Sequence, residues 1–299
     1  MDTTRVLAAV IPRHRRPLLV TGAPRSGTTW LARQLAGATG CAMTGREPMN
    51  PKPGQYRLGG TLEAWTRLDL PTRRQRSALR LAYAGLTPRV YGAYGHRQWA
   101  APWPGTRTVV KDPFAVLSVA AVVRETAAVP VLVYRHPAAV LASYRRMHWL
   151  PDVAEVATAL EGYDGVPPPP AEGSGGDTEA MAWFWSALNT VALHDLASLD
   201  DGVVVSHEEL AAGGSAALRS LFDACGLVPP TTEPTQAPGS TAGTHADDAQ
   251  GGVLHRLDRP SEQVATAWRA SVGADELATL DELAGATHAA LAEARLRLT

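Results

Sequence analysis

The sequence predicts an α/β fold, a three-layer arrangement with a central, mostly parallel β-sheet flanked by helices. Three observations predict it. Short runs rich in valine and leucine recur at 17–20, 108–111, 131–134 and 203–206, and each is followed by a helical pattern. The first run ends in a glycine-rich turn that opens directly into a helix. And 45% of the 299 residues are hydrophobic against 19% charged, which supplies a substantial core and excludes collagen-like, coiled-coil and disordered chains.

In chain order, Pro17-Leu18-Leu19-Val20-Thr21-Gly22 reads as a buried strand. Trp30, Leu31 and Leu35 at helical spacing predict a helix over 28–35. Cys41 to Thr44 reads as a second strand, and 61–90 as a mixed helical region with many arginines. Pro137 suits the first turn of a helix that follows the strand at 131–134. Residues 178–198 form a helix with Asp177 or Thr178 as its N-cap, and 261–298 return to helix. The stretch 164–177, with four prolines followed by glycine and serine, can bury almost nothing and reads as a flexible surface insertion. A second loose insertion spans 229–252. Neither separates two self-sufficient cores, so a single domain over 1–299 is expected.

Charge narrows the function classes. The 28 basic and 29 acidic side chains nearly cancel, which argues against a nucleic-acid partner. Only Lys52 and Lys111 are lysines; the remaining 26 basic residues are arginines. The two cysteines, Cys41 and Cys225, form no CxxC pair and read as buried thiols in a reducing compartment. The apolar run Val6 to Ile11 is too short for a secretory signal, and nothing approaches the ~20 apolar residues of a membrane span. The expectation is a cytoplasmic protein with no membrane partner. No histidine or carboxylate spacing predicts a metal site.

Chemistry concentrates first in Gly22-Ala23-Pro24-Arg25-Ser26-Gly27-Thr28-Thr29, between the first strand and the first helix. Backbone N–H groups of such a loop, with the positive end of the helix, cradle an anion. The spacing matches the nucleotide-binding loop G-x-x-x-x-G-K-[ST], but Thr28 stands where that motif has lysine. Losing that cation disfavours a kinase acting on a nucleoside triphosphate. Residues 23–31 resemble the 5′-phosphosulfate loop of sulfotransferases that use 3′-phosphoadenosine-5′-phosphosulfate (PAPS). Arg135, at the end of the 131–134 strand, and Ser143, eight residues on, resemble that family's 3′-phosphate-binding pair. Val110-Lys111-Asp112-Pro113 is similar to a Lys-Asp-Pro motif of tyrosylprotein, carbohydrate and bacterial sulfotransferases. Val205 to Leu210 resembles a Tyr-Glu-Asp-Leu segment with His207 in place of tyrosine, and Arg259-Pro260 a late basic element near the donor.

The resemblance implies a P-loop NTPase-like fold and transfer of a sulfuryl group from PAPS to a hydroxyl or amine, without a metal. It implies donor contacts from Pro24, Arg25, Ser26, Gly27, Thr28, Thr29, Arg135, Ser143 and Arg259. Arg25 and Lys111 would neutralise the sulfuryl and bridging oxygens. Glu47, half-buried after the second strand, is the choice for general base, with His96 and Asp112 as rivals. A P-loop nucleotide kinase and a non-catalytic nucleotide-binding protein are the alternatives. The acceptor is not legible, although Trp65, Tyr83, Tyr91, Tyr94, Trp99 and Trp103 fall in the region that would line its pocket.

Overall fold

The computed structural model describes residues 11–171, 176–230 and 267–298. Its five strands are β1 (Leu18–Thr21), β2 (Cys41–Met43), β3 (Arg107–Lys111), β4 (Val129–Tyr134) and β5 (Val203–Ser206). They pair in the order β2-β3-β1-β4-β5, and every pairing is parallel. All strand residues are buried, as parallel strands covered on both faces must be. The α/β expectation holds.

Strand order places the chemistry. β1 lies centrally with β3 on one side and β4 on the other, so successive connections leave it in opposite directions. That reversal opens a crevice beyond the C-terminal strand ends. Pairing of Val20 with Lys111, Thr21 with Leu132, and Tyr134 with Ser206 brings Gly22, Lys111, Arg135 and His207 to this one edge.

Helix α1 (Thr28–Ala36) packs on one face, where Leu31 and Leu35 meet Val20, Val131 and Val133. The other face carries α2 (Arg73–Tyr83), α3 (Val119–Thr126), α4 (Pro137–Arg146), α5 (Val153–Ala159) and α6 (Asp177–Ala197). Helix α7 (His207–Cys225) follows β5 on the α1 face, and α8 (Ala274–Ala294) packs along α6. Helix α6 is apolar nearly all round because it is buried nearly all round. Its Trp185 is fully buried and donates Nε1–H to the Arg135 carbonyl at 3.0 Å, pinning the end of β4. Among the described residues no helix is long and apolar enough to cross a membrane.

The 61–90 region is mixed helical as read: α2 is started by a reciprocal Thr72–Gln75 capping box, and a 3-10 turn follows at Pro88–Val90. Two sequence expectations need correction. The N-cap of α6 is Gly176, because the Asp177 carboxylate is taken by Arg145 through two hydrogen bonds of 2.6 Å. The proline-rich insertion does bury something. Val166 packs against the core, and the Pro167 carbonyl accepts from Trp183 Nε1 at 2.8 Å. Residues 172–175, and the 229–252 insertion beyond Pro230, lie outside the described residues.

Candidate active site

The loop after β1 is shaped by two close approaches. A Cβ on Gly22 would stand 2.0 Å from the Val133 carbonyl oxygen, and one on Gly27 would stand 2.3 Å from His207 Cδ2. Both glycines have positive φ, and Arg25 between them adopts φ 72°. A bulky residue held there stores strain of roughly 1–3 kcal/mol, a pattern that collects at functional sites. Gly27 caps α1 without a side-chain hydrogen bond, so first-turn N–H groups stay available to an outside acceptor. Ser26 Oγ is buried and has no hydrogen-bond partner among the described residues. Thr28 and Thr29 are buried beside it in the first turn.

The second motif meets this loop directly. Arg25 Nε–H donates to Ser143 Oγ at 3.0 Å, and Arg146 Nη2 lies 3.4 Å from the same oxygen. Arg135 is buried at the C-terminal end of β4, with Glu208 Oε1 3.9 Å from its Nε. That carboxylate oxygen also accepts the His136 backbone N–H at 3.0 Å. Burial and then Arg146 hold the Arg25 guanidinium below the usual arginine range. Burial lowers Arg135 as well, against an opposing pull from Glu208. Trp149 stands beside this group, with the Arg25 guanidinium 5.5 Å and Lys52 Nζ 5.8 Å from its ring centroid.

On the other side of β1 lies a group of different character. Lys111 Nζ donates to Glu47 Oε1, and Asn50 Nδ2 donates to Glu47 Oε2. Glu47 is buried rather than half-buried, because the Glu47–Asn50 turn is fastened onto β3. Asp112 does the fastening: its two carboxylate oxygens accept backbone N–H groups from Met49 and Phe114. Its own backbone N–H reaches the Val20 carbonyl at 2.9 Å, and Thr21 Oγ1–H donates to the Asp112 carbonyl at 2.8 Å. Burial and then Glu47 push the Asp112 carboxyl up to about 8. The Tyr83 hydroxyl is buried, with no hydrogen-bond partner among the described residues, and within electrostatic range of Asp112.

The predicted residues thus fall into two groups. Arg25, Arg135 and Ser143 come together, and Glu47 joins Lys111. Arg25 leans toward Ser143 rather than toward Lys111. Of the rival bases, Asp112 is fully buried with both oxygens engaged. His96 is exposed, and Arg97 and Arg33 lower its pKa after burial does. His207 opens α7 against Gly27 and Trp30, and burial followed by Arg135 pushes it down to about 3, so it is a neutral wall of the loop. Arg259 lies outside the described residues. Trp65 and Tyr83 belong to the core, whereas Tyr94, Trp99 and Trp103 are exposed. Sequence reasoning missed Asn50 and Trp149. Neither sits in a motif, and only the turn after Glu47 and the end of α4 bring them in.

A family model described as "Sulfotransferase family" matches residues 17–231. Among solved structures, the sulfotransferase domain from the curacin biosynthetic pathway aligns with a TM-score of 0.48 and 17% identity, over 90% of this chain and 97% of that one. No curated protein matches the chain.

Proposed function

Since the chain belongs to the sulfotransferase family, we propose that it transfers the sulfuryl group of PAPS to a hydroxyl or amine of a small-molecule, carbohydrate or peptide acceptor. The observation that supports this reading is the 3.0 Å contact of Arg25 with Ser143, which brings the two motifs together in one cationic cluster. The residues present suit such a donor. Ser26 offers a buried hydroxyl with no partner among the described residues, and Arg25, Arg135 and Arg146 crowd together in a way that an anion would relieve. When bound, PAPS supplies an activated sulfuryl group on a leaving nucleotide that is phosphorylated at both ends.

In this proposal the backbone from Pro24 to Gly27, with Ser26, Thr28 and Thr29, holds the 5′ end of the donor. Arg135, Ser143 and the leaning Arg25 hold the 3′-phosphate through charge-assisted hydrogen bonds, and Arg259 remains a proposed further contact. Lys111 places a compact cation where negative charge grows on the bridging oxygen. Glu47 takes the proton from the acceptor as the new bond to sulfur forms. Lys111 and Asn50 each bind one of its oxygens, so the carboxylate is fixed in direction before the acceptor arrives.

A thermal-shift comparison tests the donor, followed by transfer of labelled sulfate from PAPS to a panel of acceptors. Adenosine 3′,5′-bisphosphate should raise Tm by several degrees, about 2.7 kcal/mol at a hundredfold excess over Kd, and ATP with magnesium should not. Stabilisation by ATP with magnesium alone would point to a P-loop kinase and end the reading.

A further inference from the structure

From residue 70 to residue 111 the chain carries eight cationic side chains and no acidic one, although the whole protein is close to neutral. Arg107 and Lys111 are buried in β3, but Arg73, Arg74, Arg76, Arg80, Arg89 and Arg97 reach the surface of α2 and the loops beyond it. Arg80 pairs with Glu125 at 2.8 Å, whereas Arg73 and Arg76 have no ion-pair partner among the described residues. The same stretch holds most of the large apolar side chains that stand exposed among the described residues. Trp99 and Trp103 are 70% and 67% exposed, and Leu86 is 60% exposed.

These features form one face. Arg73, Arg76, Arg80, Leu81 and Leu86 line an open groove along α2. The end of that helix packs onto the tryptophan loop, where Gly85 lies against Ala101. Tyr91 ties the two together: its hydroxyl donates to the Gly85 carbonyl at 2.8 Å, and its ring meets Trp99 edge-on at 5.0 Å. The tip Pro102-Trp103-Pro104-Gly105 is exposed at every residue, with prolines either side stiffening the presentation of Trp103.

An isolated exposed tryptophan needs no explanation; two of them beside uncompensated arginines and leucines do. Indole rings favour the zone between headgroups and acyl chains, and arginines are drawn to anionic headgroups. The cations are spread along a helix and a loop instead of converging on a pocket, which matches a charged plane better than one acidic peptide. We propose that this face docks the protein on a membrane surface rich in anionic lipid. The absence of an apolar span, from which no membrane partner was expected, does not bear on such a peripheral contact. The face also adjoins the site: the Val90 carbonyl accepts backbone N–H groups from Gly45 and Arg46 at 3.0 and 2.8 Å, immediately before Glu47.

Co-sedimentation of the full chain with phosphatidylcholine vesicles, with and without roughly a quarter phosphatidylglycerol, tests this without any transfer assay. Binding is expected only to the anionic vesicles, and should weaken severalfold when salt rises from about 0.01 to about 0.15 M. Trp103→Ala, and the pair Arg73→Glu with Arg76→Glu, should each lower the affinity roughly tenfold while circular-dichroism melts stay unchanged. No binding of the parent chain at low salt overturns the proposal, as does equal binding to neutral vesicles. Full binding by all variants does the same. Retention on poly-glutamate without vesicle binding would assign the face to an acidic protein instead.

Discussion

Two cationic groups flank the end of β1, and they treat charge in opposite ways. Around Lys111 each polar group has a partner: the ammonium meets Glu47, Asn50 fixes the other carboxylate oxygen, and the Asp112 carboxyl takes two backbone donors. Around Ser143 three arginines stand together, Arg25, Arg135 and Arg146, with Glu208 Oε1 3.9 Å from Arg135 Nε. A compensated cluster is rigid and complete without a ligand, as a group that must act in one fixed direction should be. A cluster of like charges, each disfavouring the next, gains by binding an anion.

The largest effects should come from breaking the compensated side. Lys111→Met leaves Glu47 buried without its cation, and should lower stability by about 3–5 kcal/mol with transfer abolished. Glu47→Gln keeps the shape, so stability should fall less, while kcat drops by roughly 10²–10⁴ and donor affinity holds. Denaturation melts and steady-state rates decide both. A Lys111→Met protein that melts like the parent would mean the pair contributes nothing, and a Glu47→Gln protein with full kcat would move the base elsewhere.

The arginine side should respond less in stability and more in ligand affinity. Arg25→Ala and Arg135→Ala each remove a cation that burial and Arg146 disfavour, so the ligand-free proteins should lose less Tm than Lys111→Met does. Each should nonetheless bind adenosine 3′,5′-bisphosphate about 10- to 100-fold more weakly, the worth of a hydrogen bond to a charged group. Calorimetric titration gives the affinity. If Arg25→Ala cost as much Tm as Lys111→Met, the contrast between the groups would be false.

What the sequence carried about these groups was uneven for a physical reason. The strand, loop and helix around Gly22 to Leu35 are local, and periodicity with glycine spacing was enough to place them. Lys111 stood out as one of two lysines, and it does sit at a strand end. Its pairing with Glu47, 64 positions away, depends on strand order, which no local pattern contains. The direction of Arg25 was unreadable too, since it follows from a left-handed backbone and a hydroxyl on a distant helix. The α6 cap failed similarly: Asp177 is a good N-cap by type, but a bidentate Arg145 outcompetes the helix for it. Asn50 has no sequence signature, because its role exists only once Asp112 has folded the turn onto β3.

The smallest expected effect reads the arginine side through His207, which is buried between Gly27 and Trp30 with Arg135 in electrostatic range. Burial first, and Arg135 second, hold its folded pKa down to about 3, against about 6.5 in the unfolded chain. Between those values the unfolded chain binds a proton that the native protein refuses. Stability present above pH 6.5 is therefore lost as the pH falls toward 3, by at most about 1.4 kcal/mol per pH unit from this group. His207→Gln, which cannot titrate, should flatten that part of the acid limb, so its Tm falls less than the parent's between neutral pH and about pH 5. A bound anion beside Arg135 offsets the second cause, and adenosine 3′,5′-bisphosphate should shrink the difference between the two proteins. Parallel acid limbs would mean that His207 takes up its proton without leaving the fold. The loop wall would then be wetter than its packing against Gly27 allows.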